Sequence, residues 1–122
     1  MLTSFPAPIT ACVFGASGGI GAALVRALVQ SPAVSLVHAG ARTLPAPAAK
    51  LRPFRFDMED EESLIQAASA IGHVDLVIVA TGVLHAEGMT PEKSARAQSG
   101  AAYARAFAIN ATGPALIAKH VL

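Results

Sequence analysis

The sequence predicts an α/β protein built on a doubly wound parallel sheet with its strands in the order 3-2-1-4. Three observations carry that prediction. Short apolar runs alternate with helical segments, so successive strands are joined by crossovers rather than hairpins, and right-handed crossovers give this order. The runs are apolar at consecutive positions, as in strands covered by helices on both faces. Four glycines crowd into residues 15–21, between the first strand and the first helix. Each costs either element roughly 0.5–1 kcal/mol relative to alanine, so something there needs bare backbone.

The elements follow in order. "ITACVF", residues 9–14, is short, β-rich and apolar on both faces, and forms the first strand. "GIGAALVRALVQSP" places Ile20, Leu24, Val25 and Leu28 on one helical stripe, which Ser31 and Pro32 close. "VSLVHAGAR", residues 34–42, is the second strand; "TLPAPAAK" is too broken for a helix; "PFRFD", residues 53–57, is the third strand. In "MEDEESLIQAASAIGH" the carboxylates Glu59, Asp60, Glu61 and Glu62 crowd a first helical turn, where they favour the positive end of the helix dipole. Leu64, Ile65, Ala68 and Ile71 supply that helix's apolar face. "VDLVIVATG", residues 74–82, is the most strand-like piece and reads as an interior strand. The remainder, "SARAQSGAAYARAFAINATGPALIAKHVL", is alanine-rich helix, bent between Asn110 and Pro114 where Gly113 and Pro114 interrupt the pattern.

Composition narrows the function. The 122 residues are one domain's worth, and 53% apolar residues supply a core. Only 14% are charged and the formal net charge is +1, so no basic surface for nucleic acid is indicated. No apolar run reaches the roughly 18 residues that span a bilayer, and the start lacks a cationic leader, so a cytoplasmic, soluble protein is expected. Cys12, the single cysteine, lies in an apolar strand and reads as a small buried hydrophobe. The acidic run has no accompanying histidine spacing, and no metal site is expected.

The glycines have a chemical reading. A glycine-rich turn from strand to helix lets backbone N–H groups and the helix N-terminus face an anion, normally the pyrophosphate of a dinucleotide. Gly15, Gly19 and Gly21 fit G-x-x-x-G-x-G, whereas Ser17 breaks the G-x-G-x-x-G spacing, and no Walker lysine follows. A tight structural turn is the competing reading. About twenty residues on, where an acidic side chain would hold the ribose 2′-hydroxyl of NAD, stand Ala41 and Arg42. A guanidinium offers donors to a 2′-phosphate and nothing to a hydroxyl that must donate, so Arg42 favours NADP(H) over a solvated strand-end arginine. Asp57 either lies near the adenine or caps the helix that follows.

Together these residues resemble the short-chain dehydrogenase/reductase family, from about Ile9 to the last residue. "GASGGIG" is similar to the family's cofactor loop, "GAR" to the second-strand end of its NADP-dependent members, and "FDMEDEESL" to its adenine-side segment. "DLVIVATG" resembles the strand that usually ends Asn-Asn-Ala-Gly, and "INATGPALIAKHVL" the helix with the catalytic asparagine, which favours the classical branch. The resemblance implies a Rossmann-type fold, with Gly15, Ser17, Gly19, Ile20 and Gly21 on the pyrophosphate side and Arg42 at the 2′-phosphate. It likewise implies Asp57 and Met58 at the adenine, Ala80, Thr81 and Gly82 at the nicotinamide-side ribose, and Asn110 as the residue whose backbone holds a water in the proton relay. Phe14 departs from the family's usual Thr, Val79 and Ala80 from its paired asparagines, and Gly18 from the basic residue of many NADP enzymes.

The resemblance also implies a serine and a Tyr-x-x-x-Lys pair after the asparagine. Here the single tyrosine, Tyr103, precedes Asn110, and "YARAF" puts Phe107 in the lysine's place, so Tyr103 reads as a helix residue. His38, His73, His85 and His120 share no ligand spacing, and Ser94 and Ser99 have no apparent base beside them. The expectation is the N-terminal part of a dehydrogenase that moves hydride between nicotinamide and a small-molecule carbonyl or alcohol, inactive as this chain alone. A non-catalytic NADP-binding module, associating through the open edge of its fourth strand, is the alternative, and a homo-oligomer stays open.

Overall fold

The alternation of β1, Ile9–Phe14, sets the two layers of the molecule. Period two sends Ile9, Ala11 and Val13 to one face and Cys12 and Phe14 to the other, and all five are buried. In the computed structural model, which describes residues 2–84, 86 and 88–122, β1 lies between β2, Val34–Gly40, and β4, Leu76–Val79. β3, Leu51–Phe54, lies beyond β2. Every pairing is parallel and the order is β3-β2-β1-β4, the Rossmann-type arrangement the alternation predicts.

Each face has its own cover. Val25 and Leu28 of α1, Gly19–Gln30, pack with Ile9, Val13, Val34 and Val37. On the opposite face Leu64 of α2, Glu61–Ile71, and Ile117 of α4, Gly113–Val121, meet Cys12, Phe14 and Phe56. Burial pushes the Cys12 thiol up to about 12, which fits a buried hydrophobe rather than a reactive nucleophile.

Several boundaries differ from the sequence expectation. β2 stops at Gly40 rather than Arg42, and β3 covers Leu51–Phe54 rather than residues 53–57. A strand lasts only as long as its partner's ladder. Val37 N–H already donates to the Lys50 carbonyl at 2.7 Å, and Gly40 opposite Phe54 is the last pair. Arg55, Phe56 and Asp57 therefore run past the sheet as loop. β4 covers Leu76–Val79, paired with residues 11–14 of β1, and stands at the edge, as the order 3-2-1-4 requires of a fourth strand although its apolar run by itself reads as interior.

Two apolar residues assigned to inward stripes face outward instead. Ile20 is 75% exposed and Ile65 39% exposed. The inward line of α1 is Gly21, Val25 and Leu28, and that of α2 is Leu64 and Ala67. Ile20 and Ile65 each sit one residue, about 100°, off those lines. α2 begins at Glu61 with Asp60 as its N-cap, the carboxylate accepting from Glu62 N–H at 3.1 Å, so Met58 and Glu59 belong to the loop before it.

The expected bend is a helical irregularity. A short 3₁₀ turn, Ala95–Ala97, leads to α3, Gly100–Phe107, whose N-cap Ser99 accepts from Ala102 N–H at 3.1 Å. A π-helical turn, Ala108–Thr112, then joins α3 to α4. Its extra residue per turn reorients the helix, and Pro114 is tolerated because it falls in the first turn of α4. Among the described residues no helix is long and apolar enough to cross a membrane.

Candidate functional site

The carboxyl ends of all four strands open onto one cleft of about 450 Å³. Gly15, Ser17 and Gly18 reach it from the end of β1, and Ala41 and Arg42 from the end of β2. Phe56, Asp57 and Met58 come from the segment after β3, and Ala80, Thr81 and Gly82 from the end of β4. This is the crevice in which open parallel sheets bind ligands, because strand ends and helix N-termini converge there.

The glycine loop is held by backbone. Gly15 and Ala16 N–H groups both donate to the Gly40 carbonyl, at 2.9 and 2.8 Å, which ties the loop to the end of β2 beside Arg42. Gly15 has φ +92, and a Cβ there would lie 2.7 Å from the Ala80 carbonyl oxygen. A Cβ on Gly21 would collide with the Gly15 carbonyl, so bare backbone lets α1 start directly under the loop. Gly19, by contrast, has open space where a Cβ would stand. The N-cap of α1 is Gly18, which offers no side-chain cap, and the first turn carries no acidic residue. The positive end of the helix therefore keeps its charge for whatever enters the cleft.

The adenine-side segment is equally ordered. Asp57 N–H donates to Ser63 Oγ at 2.9 Å, and Asp57 Oδ1 accepts from Glu59 N–H at 2.9 Å. Asp57 thus closes a local turn, and Asp60 is the residue that caps α2, which removes the capping alternative for Asp57. Phe56 is fixed by Phe14, whose ring meets those of Phe54 and Phe56 edge-on at 5.2 and 5.1 Å. This is the structural use of the phenylalanine that stands before the first glycine.

Of the residues singled out in the sequence, Gly15, Ser17, Arg42, Asp57, Met58, Ala80, Thr81 and Gly82 line the cleft together. Gly19, Ile20, Gly21 and Asn110 do not. Gly21 lies beneath the loop, while Gly19 and Ile20 are exposed in the first turn of α1. Asn110 acts on the wall: its Oδ1 accepts from Val83 N–H and its Nδ2 donates to the Val83 carbonyl, both at 2.8 Å. Those two bonds fasten the segment after β4 to the π-turn. Thr81 Oγ1 is buried with no hydrogen-bond partner among the described residues.

Arg105 and Ile109, which also line the cleft, were not anticipated. Their spacing of four puts them on one helix face, the only signal the sequence holds for them. Arg105 reaches Glu59 at 3.8 Å across the mouth. Tyr103 is exposed and stacked on Phe107, as a helix residue away from the cleft. His38 is buried in β2 and its pKa is lowered by burial and by Arg52, while His73 contacts Asp75 and His120 contacts Glu61. His85 lies outside the described residues. No group of metal-ligating side chains assembles among the described residues.

Fold and cleft together define a doubly wound α/β domain whose glycine loop and strand ends line a common crevice. The short chain dehydrogenase family model matches residues 9–122, and the chain belongs to that family. No curated protein matches it by sequence. Its fold is similar to that of the NADPH-bound carbonyl reductase from chicken fatty liver, with TM-score 0.81 at 18% identity over 96% of this chain and 48% of that one. It is also similar to a short chain dehydrogenase from Burkholderia cenocepacia in complex with NADP, with TM-score 0.78 at 24% identity over 94% of this chain and 47% of that one. A short-chain dehydrogenase/reductase from Serratia marcescens superposes with TM-score 0.75 at 23% identity over 94% of this chain and 51% of that one. The chain spans about half the length of these structures.

Proposed function

We propose that the cleft binds NADP(H), and that the chain is the coenzyme-binding part of an oxidoreductase acting on a carbonyl or alcohol. The observation that carries this reading is the convergence of an uncapped, glycine-lined helix start with Arg42 in one crevice. The residues fit the group. Bare backbone at Gly15 and Gly21 lets the loop close against Ala80 and sit directly on the start of α1, and the buried hydroxyl of Thr81 has no partner among the described residues. The loop of Gly15, Ser17, Gly19, Ile20 and Gly21 takes the pyrophosphate: the first-turn N–H groups and dipole of α1 attract it, while Gly15, whose N–H goes to Gly40, and Gly21, beneath the loop, shape the turn. Arg42 pairs with the 2′-phosphate, Asp57 and Met58 face the adenine, and Ala80, Thr81 and Gly82 line the nicotinamide-side ribose.

The bound coenzyme supplies the hydride; this chain's residues bind and orient it. Because the Asn110 side chain is committed to Val83, any part it takes in a proton relay falls to its backbone. The 122 residues contain no Tyr-x-x-x-Lys, so they supply no acid–base pair of the family type. The NADP-bound and NADPH-bound relatives support the choice of coenzyme. Titration of NADPH and NADH against the protein and its Arg42→Ala variant tests it. NADPH binds more tightly than NADH, and the substitution weakens NADPH alone by about 10- to 100-fold, the equivalent of the ~1.5–3 kcal/mol of hydrogen bonds to a charged group. Equal binding of both, untouched by the substitution, removes the 2′-phosphate assignment.

A further inference from the structure

Gly113 is a glycine the backbone does not need. It sits at φ −56 and ψ −53, ordinary helical values, at the junction of the π-turn and α4. Glycine there costs a helix roughly 1 kcal/mol relative to alanine. The reason for it is space. A Cβ at this position would lie 2.5 Å from Met58 Cε and 3.2 Å from Met58 Sδ, and 3.2 Å from the Ala108 carbonyl oxygen. Met58 comes from the segment after β3, packs on the Phe14–Ile117 side of the core and lines the cleft. Its terminal methyl therefore rests in the notch that Gly113 leaves.

The same helical column holds this segment at a second point, through Glu59 and Arg105 at 3.8 Å. Between these ties the segment has little freedom: Asp57 is closed on Glu59 and on Ser63. Moving the Met58 methyl out of its notch therefore moves a side chain of the cleft wall.

We propose that Gly113 is a positioning residue for the nucleobase: it seats Met58 and so keeps the adenine wall of the cleft open. The inference rests on the cleft binding an adenine nucleotide. Gly113 touches no ligand itself. It acts through Met58, whose flexible thioether bends to whatever space the helix gives it.

The test uses 2′,5′-ADP, the adenosine half of the coenzyme, with ¹³C-methyl-labelled methionine as an internal reporter. Gly113→Ala shifts the Met58 methyl resonance, assigned by its loss in Met58→Ala, and weakens 2′,5′-ADP binding by about tenfold or more, as overpacking does. The double variant Met58→Ala/Gly113→Ala restores binding to that of Met58→Ala alone. If the double variant stays as weak as Gly113→Ala, or if both fail to fold, the Ala108 carbonyl is the obstacle and the proposal is overturned. Folding of the double variant where Gly113→Ala does not fold supports it. An unmoved methyl resonance overturns it without reference to ligand. If the unaltered protein binds no 2′,5′-ADP, the nucleotide reading fails, and the methyl resonance still decides whether Gly113 seats Met58.

Discussion

Cys12 shows how burial sets the chemistry of a single residue. It lies wholly inside β1, and burial holds its thiol protonated up to about pH 12. A thiolate is the reactive form, so native protein should resist alkylation by iodoacetamide near neutral pH and react only when unfolded in guanidinium. Rapid labelling of folded protein contradicts this placement. Cys12 was legible in the sequence because its neighbours are apolar on both sides. Ile20 and Ile65 were not, since a helix of unknown rotation leaves a 100° ambiguity that only the packed sheet resolves.

At the scale of elements, partners decide lengths and ends. β4 starts where Asp75 grips Thr10: Asp75 Oδ2 accepts from Thr10 N–H at 2.8 Å, and Asp75 N–H donates to the Thr10 carbonyl at 2.9 Å. The Thr10 N–H, more than the ring of His73, holds the Asp75 carboxyl below its usual range. Hydrogen bonds to Glu61 from His120 and then Lys119 do the same where α4 crosses α2. A carboxyl with a lowered folded pKa stabilises the protein above its unfolded pKa, and that contribution is lost as pH falls through the folded value. Urea midpoints should therefore drop below about pH 4, the ordinary carboxylate range. Asp75→Asn should lower the midpoint at neutral pH and flatten part of the acid decline. An acid limb unchanged in Asp75→Asn shows that the grip on Thr10 contributes nothing.

Across the whole molecule, Phe14 links core to cleft. Its ring is 1% exposed and braces Phe54 and Phe56, and Phe56 lines the cleft. Phe14→Ala should cost about 3–5 kcal/mol in denaturant unfolding, since a large cavity opens at the end of β1. Phe14→Leu should cost less and leave a folded protein with weakened nucleotide binding, because Phe56 loses its edge contact. Full affinity in a folded Phe14→Leu variant separates the aromatic cluster from the site. The outer edge of β4 pairs with no strand among the described residues, which leaves Val79 36% exposed.

Local pattern was enough for what depends on local pattern. Alternating apolar runs and helical stretches specify a doubly covered parallel sheet, handedness then orders its strands, and the glycines mark where the chain must come close to itself at Gly15 and Gly21. Strand-end position, which the sequence also carries, placed Arg42, Asp57 and Thr81 at a common edge. Only the tertiary structure decided that β3 ends at Phe54, that Asp60 rather than Asp57 caps α2, and that the Asn110 side chain fastens Val83. The same holds for Arg105 and Ile109, which line the cleft from segments distant in the chain, and for Gly113, which meets Met58 of its wall. Those outcomes depend on which distant backbone lies opposite and how each helix is rotated, and no short stretch of sequence contains that information.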